Sequence, residues 1–92
     1  MFSFFDPLRL KLSSDQKILE VSYSPTSEKP LFDICDLDGR IIKTGIVSAT
    51  SLKIKVSDLI NEMYILLILD GDEVRTKRFE ISRQGQTIPN SD

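Results

Sequence analysis

The sequence predicts an all-β fold, an antiparallel sandwich of about seven strands. Three observations support this prediction. Several short segments alternate apolar and polar residues, one segment is apolar throughout, and Asp-Gly pairs beginning at Asp38 and Asp70 mark two reversals of the chain. Alternation with a period of two suits a strand with one face in the core and one in water. Short strands separated by turn residues are typical of a sandwich.

The first two predicted strands are short. Leu8 to Leu12 alternates leucine with a cation, and Ile18 to Tyr23 places Leu19, Val21 and Tyr23 on one side. Ser24 to Pro30 contains two prolines and several small polar residues, so it is predicted to be a loop. Residues 1–7 are interpreted as a lead-in to the first strand.

Two hairpins are predicted at the Asp-Gly pairs. Phe32 to Leu37 is expected to pair with Arg40 to Thr44, and the strand that precedes Gly71 is expected to pair with Glu73 to Ile81. Tight hairpins need positive φ, which glycine adopts without steric cost. Gly39 and Gly71 are therefore predicted to have positive φ.

The remaining segments complete the sandwich. Met63 to Leu69 is apolar at both parities, which is typical of a strand covered on both faces, and we interpret it as the central strand. Leu52 to Val56 alternates and is predicted to be a strand, whereas Ser57 to Glu62 has room for one helical turn only. The sandwich is expected to cover residues 8–81, followed by a flexible tail over residues 82–92.

The composition excludes several classes of function. The chain has 92 residues, which fits one domain, and its 12 basic and 14 acidic residues give a net charge of -2. That balance gives no support to nucleic-acid binding. The longest nearly apolar run, Met63 to Leu69, is far shorter than the roughly 20 residues that a membrane-spanning helix needs. We therefore expect neither a nucleic-acid partner nor membrane insertion, and we expect a monomer.

The usual parts of a catalytic or metal site are missing. The chain has one cysteine, Cys35, and no histidine, so a zinc site or a nucleophile–base pair has no basis. Cys35 is expected in or near the core. Asp36, Asp38, Asp70 and Asp72 are interpreted as turn-forming residues, because the spacing after Asp36 does not fit a calcium-binding loop. We expect no enzyme activity, no metal and no cofactor.

The basic cluster Arg75-Thr76-Lys77-Arg78 has two interpretations. Its charges could form a docking surface for an acidic protein partner. Alternatively, they belong to a solvated edge strand, where charge discourages pairing with other sheets. The sequence alone leaves both open.

Several segments, in this order, resemble the type A C-terminal sorting domain of the type IX secretion system of certain Gram-negative bacteria. The segments are Phe32 to Ile42, Val56 to Leu59, Met63 to Ile65 and Asp70 to Phe79. The resemblance implies an immunoglobulin-like sandwich. The matching residues are Asp36, Gly39 and Arg40 in the first hairpin, Leu59 and Tyr64 before and in the central strand, Gly71 in the second hairpin, and Lys77 and Phe79 in the last strand.

The resemblance also implies a function. Such domains are non-catalytic signals at the C-terminus of exported proteins and are recognised by the outer-membrane export machinery. Arg75, Lys77 and Arg78 are the residues that we expect to form the sorting surface. The alternative is a stand-alone immunoglobulin-like module that binds a protein or a glycan. A domain carried by a larger exported protein is expected in the periplasm, at the outer membrane or outside the cell, whereas a chain complete from Met1 is expected in the cytoplasm.

Overall fold

The computed structural model describes residues 7–84, which contain seven strands and no helix. The strands are β1 (Arg9–Leu12), β2 (Ile18–Ser22), β3 (Leu31–Asp36), β4 (Ile41–Ile46), β5 (Ser51–Lys55), β6 (Met63–Asp70) and β7 (Glu73–Glu80). Each predicted strand is present within about two residues of its predicted bounds. Ser57 to Glu62 forms turns and bends rather than a helical turn.

The strands form two antiparallel sheets. One has three strands in the order β1-β2-β5, and the other has four in the order β4-β3-β6-β7. Both predicted hairpins are confirmed, because β3 pairs with β4 and β6 pairs with β7. β6 also pairs with β3, so it lies inside the four-stranded sheet as predicted. The all-β sandwich prediction is therefore confirmed.

The core lies between the two sheets. The inward residues of β6, including Leu66 and Ile68, alternate with half-buried residues on the opposite face. The other buried apolar residues belong to this same cluster: Leu8, Leu19, Val21, Tyr23, Phe32, Ile34, Val47, Ile54, Val56, Leu59, Tyr64, Phe79 and Ile81. Burial of this face is the main source of stability in a sandwich of this kind.

The two hairpins use glycine differently. In the β3–β4 loop, Gly39 has φ of 88° and donates its N–H to Asp36 O at 3.1 Å, while Asp36 N donates to Arg40 O at 3.0 Å. This is the pattern of a three-residue loop that ends in a glycine bulge. In the β6–β7 loop, Asp70 pairs with Glu73 and Gly71 has φ of 64°. The predicted positive φ is confirmed at both glycines.

The segment after β7 packs against the domain. Arg83, which the sequence interpretation placed in the tail, is 9% exposed. Its guanidinium donates to Val56 O at 2.7 Å, Leu59 O at 2.9 Å and Gln16 O at 3.0 Å. Asn61 adds a reciprocal pair, because its side chain accepts from Arg83 N and donates to Arg83 O, both at 3.1 Å. Packing thus continues past Ile81, and the rest of the interpreted tail, residues 85–92, lies outside the described residues.

Candidate protein-interaction surface

β7 lies at one edge of the four-stranded sheet, so one side of its backbone is not paired with any strand of residues 7–84. Such an edge exposes N–H and C=O groups to which another chain can add a strand. Charged residues on an edge strand also oppose unwanted pairing with other sheets. This is the second interpretation given above for the basic cluster. Both interpretations require an edge strand, and the structure provides one.

The three predicted surface residues do not lie on one face of β7. Arg75 and Lys77 point to the core side of the sheet, opposite Ile68 and Leu66 respectively, and both are half-buried. Lys77 Nζ donates to Leu8 O at 3.0 Å. A long cationic side chain at a sheet edge can cover apolar neighbours with its methylenes and keep its charged end near the surface. Lys77 therefore helps to fasten the chain near β1 to β7.

Arg75 belongs to the same inward row, next to the β6–β7 turn. Its Nη2 donates to Glu73 Oε1 at 3.0 Å. Glu73 is exposed, so this ion pair is expected to add little to stability. The placement of Arg75 and Lys77 leaves a smaller charged surface than the sequence indicated.

Arg78 points to the opposite face, away from the core, and its side chain is exposed. It lies opposite Ile65 of β6. Within residues 7–84 no carboxylate lies at ion-pair distance from its guanidinium. Arg78 is thus the member of the predicted surface that an external partner can reach most directly.

The first hairpin is locked by Asp36, which is buried although it is an acid. Its Oδ1 accepts from Asp38 N and Arg40 N, both at 2.9 Å, and its Oδ2 accepts from Arg40 Nε at 2.8 Å. The backbone N–H and the guanidinium of Arg40 lower the pKa of Asp36, against the opposing effect of burial. Asp36, Gly39 and Arg40 therefore act as one structural unit that closes the turn.

The other matched residues also have structural places. Leu59 is buried and anchors the loop that leads into β6. Tyr64 stacks on Phe79 with ring centroids 5.6 Å apart, and its hydroxyl donates to Ile60 O at 2.8 Å. Stacked aromatic pairs of this geometry stabilise a cross-strand contact beyond the area that they bury. The contact between Tyr64 and Phe79 helps to hold β6 and β7 in register.

Asp70 has a role that the sequence interpretation missed. It was interpreted as a turn-forming residue, yet it is 1% exposed. Its Oδ2 accepts from Tyr23 Oη at 2.6 Å, Thr26 N at 2.9 Å and Thr26 Oγ1 at 3.1 Å, and its Oδ1 accepts from Ser27 N at 2.7 Å. The carboxylate therefore fastens the loop after β2 to the β6–β7 hairpin.

The surroundings of Asp70 favour its ionised form. The side chains of Ser27 and Tyr23, and then the backbone N–H of Thr26, hold the pKa of this carboxyl well below its usual range, although burial opposes them. Of the two hydroxyl groups, that of Tyr23 has the larger effect on the pKa of Asp70, because Ser27 Oγ is buried without a hydrogen-bond partner of good geometry. Accepting several hydrogen bonds stabilises a carboxylate in this way.

Comparison with known protein families matches residues 14–82 to the secretion system C-terminal sorting domain. The match covers 69 of the 92 residues and all of β2 to β7. The chain belongs to this family. No curated protein matches the chain. The sorting domain is a non-catalytic signal for type IX export, so the resemblance identified from the sequence is confirmed.

The structure adds three observations on the sorting domain. None of residues 7–84 forms a helix that is long and apolar enough to cross a membrane. In the same range, no cluster of three or more acidic, cysteine or histidine side chains is arranged to hold a metal ion. Cys35 is half-buried on the outward face of β3, and burial, followed by the charges of Asp33 and Asp36, raises the pKa of its thiol. A thiol of this kind is a poor nucleophile at neutral pH.

Proposed function

We propose that this sorting domain is read by the outer-membrane export machinery along the edge of β7. The observation that supports this proposal is that β7 is an edge strand which carries an exposed arginine, Arg78. A receptor strand that pairs with β7 would gain backbone hydrogen bonds, and an acidic receptor residue near Arg78 would add charge complementarity. Family membership supports a protein partner of this kind, and the protein that carries the domain would reach the outer membrane or the extracellular space.

Arg75 and Lys77 have a different place in this proposal. Both side chains lie half-buried on the core side of β7, where Lys77 donates to Leu8 O and Arg75 donates to Glu73. Substituting either would change contacts on the core side of the edge as well as its charge. The charge that a receptor can read without disturbing the fold is that of Arg78.

The experiment is an export assay with matched charge reversals. A reporter carrying an export signal is fused in front of the 92-residue chain and produced in a host that has the type IX machinery. Arg78→Glu should reduce the exported fraction severalfold. Arg9→Glu reverses an exposed strand arginine on the other sheet, opposite Ser22, and should leave export unchanged. Both substitutions should shift the free energy of unfolding by less than about 0.5 kcal/mol, as exposed substitutions usually do.

Two results would count against the proposal. Equal export of Arg78→Glu and the unsubstituted domain would mean that the β7 edge is not read through its charge. Equal loss in Arg78→Glu and Arg9→Glu would mean that overall charge matters rather than this strand. Urea denaturation of each purified variant shows whether a loss of export comes from unfolding.

A further inference from the structure

The outer face of the four-stranded sheet, the face turned away from the core, is largely apolar. The strand register places twelve side chains on it in three rows that each cross β4, β3, β6 and β7, and the pair Met63 and Glu80 continues the face on β6 and β7 only. The rows are Ile46-Leu31-Leu69-Val74, Thr44-Asp33-Leu67-Thr76 and Ile41-Cys35-Ile65-Arg78. The first row is apolar from one edge of the sheet to the other. Its exposed members show 63% (Ile46), 40% (Leu31) and 58% (Val74) of their surface to solvent.

The outer face of the three-stranded sheet is very different. Its residues are four cations, one acid, two serines and one half-buried apolar side chain: Arg9, Lys11, Lys53, Lys55, Glu20, Ser22, Ser51 and Ile18. Charged and polar side chains of this kind are normally exposed to solvent. The contrast between the two faces favours an interaction site on the apolar one, because the largest contiguous apolar patches on a protein surface often mark such sites.

We propose that this apolar face binds the same face of a second copy of the chain. The face is self-complementary about a two-fold axis that runs along the strands between β3 and β6. That operation places β4 over β7 and β3 over β6 of the other copy, with the rows kept in line. In the first row, Ile46 then meets Val74 of the second copy, and Leu31 meets Leu69 of the second copy.

The only two charged residues in the three rows become neighbours in this arrangement. Asp33 lies on β3 and Arg78 lies on β7, one row apart. After the two-fold operation, Arg78 of the second copy is one strand and one row from Asp33, roughly 8 Å away in the plane of the sheet. A long arginine side chain can span that distance, and the symmetry forms the pair twice. Charge complementarity thus selects a second copy as the occupant.

The size of the face sets the expected strength. Four strands and three rows cover roughly 19 Å by 20 Å, so two copies would bury on the order of 1,000 Å², below the usual size of stable interfaces. We therefore expect a weak dimer, with a dissociation constant on the order of 10–100 μM, in place of the monomer expected from the sequence. Packing through the face leaves the outer backbone edge of β7 open but occupies the Arg78 side chain, so a receptor and a second copy would compete for that charge. The dimer itself does not depend on the proposed export function, because it is tested on the purified chain without the export machinery.

Sedimentation equilibrium of the purified 92-residue chain, from about 10 μM to about 1 mM, tests the proposal. Ile46→Lys should raise the dissociation constant about tenfold or more, because it places a charge in the apolar row. Ile60→Lys is the matched control: Ile60 is 62% exposed, almost the same as Ile46, but lies outside the three rows. It should leave the dissociation constant within about threefold of the original.

A charge exchange tests the geometry. Asp33→Arg alone and Arg78→Asp alone should each raise the dissociation constant about fivefold or more, and the double variant should return it to within about threefold of the original, because opposite charges meet again. A chain that stays monomeric up to about 1 mM overturns the proposal and leaves another protein as the occupant of the face. Equal weakening by Ile46→Lys and Ile60→Lys, or a double variant as weak as the single ones, also overturns it.

Discussion

Replacing Arg83 by methionine should destabilise the domain strongly, although Arg83 lies beyond the last strand. Methionine keeps the unbranched apolar stem of the side chain but lacks the guanidinium, so it removes every side-chain donor. The carbonyl groups of Val56 and Leu59, which accept from Arg83 in buried hydrogen bonds, would lose these donors. The carbonyl of Gln16 accepts in a partly buried bond and can be compensated by water more easily.

The size of the effect follows from these bonds. A hydrogen bond to a charged group contributes about 1.5–3 kcal/mol, and a buried group left without its partner costs about 1–3 kcal/mol. Counting only the two buried bonds, and allowing for relaxation, we expect a loss of about 3 kcal/mol. A domain of this size has a free energy of unfolding of roughly 5–14 kcal/mol, so the loss would be a large part of the total.

Urea denaturation followed by far-ultraviolet circular dichroism measures this loss. Arg78→Met is the matched control, because Arg78 is exposed on β7, and it should change the free energy of unfolding by less than about 0.5 kcal/mol. A chain that ends after Ser82 should be destabilised at least as much as Arg83→Met, because it also loses the pair between Asn61 and the backbone of Arg83. An Arg83→Met variant as stable as the original would refute the view that this clamp holds the end of the domain.

Three further predictions concern the interior. Asp70→Asn should lower the urea midpoint at pH 7 well below that of Asp72→Asn, because only Asp70 is buried. Folding lowers the pKa of Asp70 from its ordinary value of 3.8, so the stabilisation from its carboxylate is complete above that pH and is lost as the pH falls below it. The difference in urea midpoint between the original chain and Asp70→Asn should therefore shrink in acid. A difference that stays constant with pH would contradict the buried, ionised state of Asp70. Gly45→Ala should cost about 1–3 kcal/mol in unfolding free energy, because an added Cβ would lie 2.5 Å from the Phe32 ring; an unchanged midpoint would show that the ring moves aside freely. Leu66→Ala should cost about 2–5 kcal/mol, since Leu66 is fully buried in β6; a melting temperature equal to the original would contradict its place in the core.

Much of the fold could be predicted because its signals are local. The alternation in Leu52 to Val56 and the apolar run before Asp70 correspond to β5 and β6, and the positive φ of Gly39 and Gly71 follows from turn chemistry. Such features depend on residues close together in the chain. The sequence therefore contains enough information to find them without knowledge of the packing.

The roles of Asp70 and Arg83 could not be predicted because their partners are distant in the sequence. The donors to Asp70 lie 43 to 47 residues away, and two of the carbonyls bound by Arg83 lie 24 and 27 residues away. An aspartate before a glycine has the same local pattern whether it is exposed or buried. The opposite faces of Lys77 and Arg78 follow from strand alternation, but which face is the core depends on the sandwich as a whole.

Export of a reporter is the measurement that tests the sorting function most directly. The reporter, behind an export signal, is fused to the 92-residue chain in one strain and lacks the chain in another, and both are produced in a host that has the type IX machinery. Family membership over residues 14–82 predicts that the fused reporter crosses the outer membrane while the reporter without the chain stays in the periplasm. Periplasmic retention of both, with the fused chain folded and intact, would contradict the conclusion that this chain is a sorting signal.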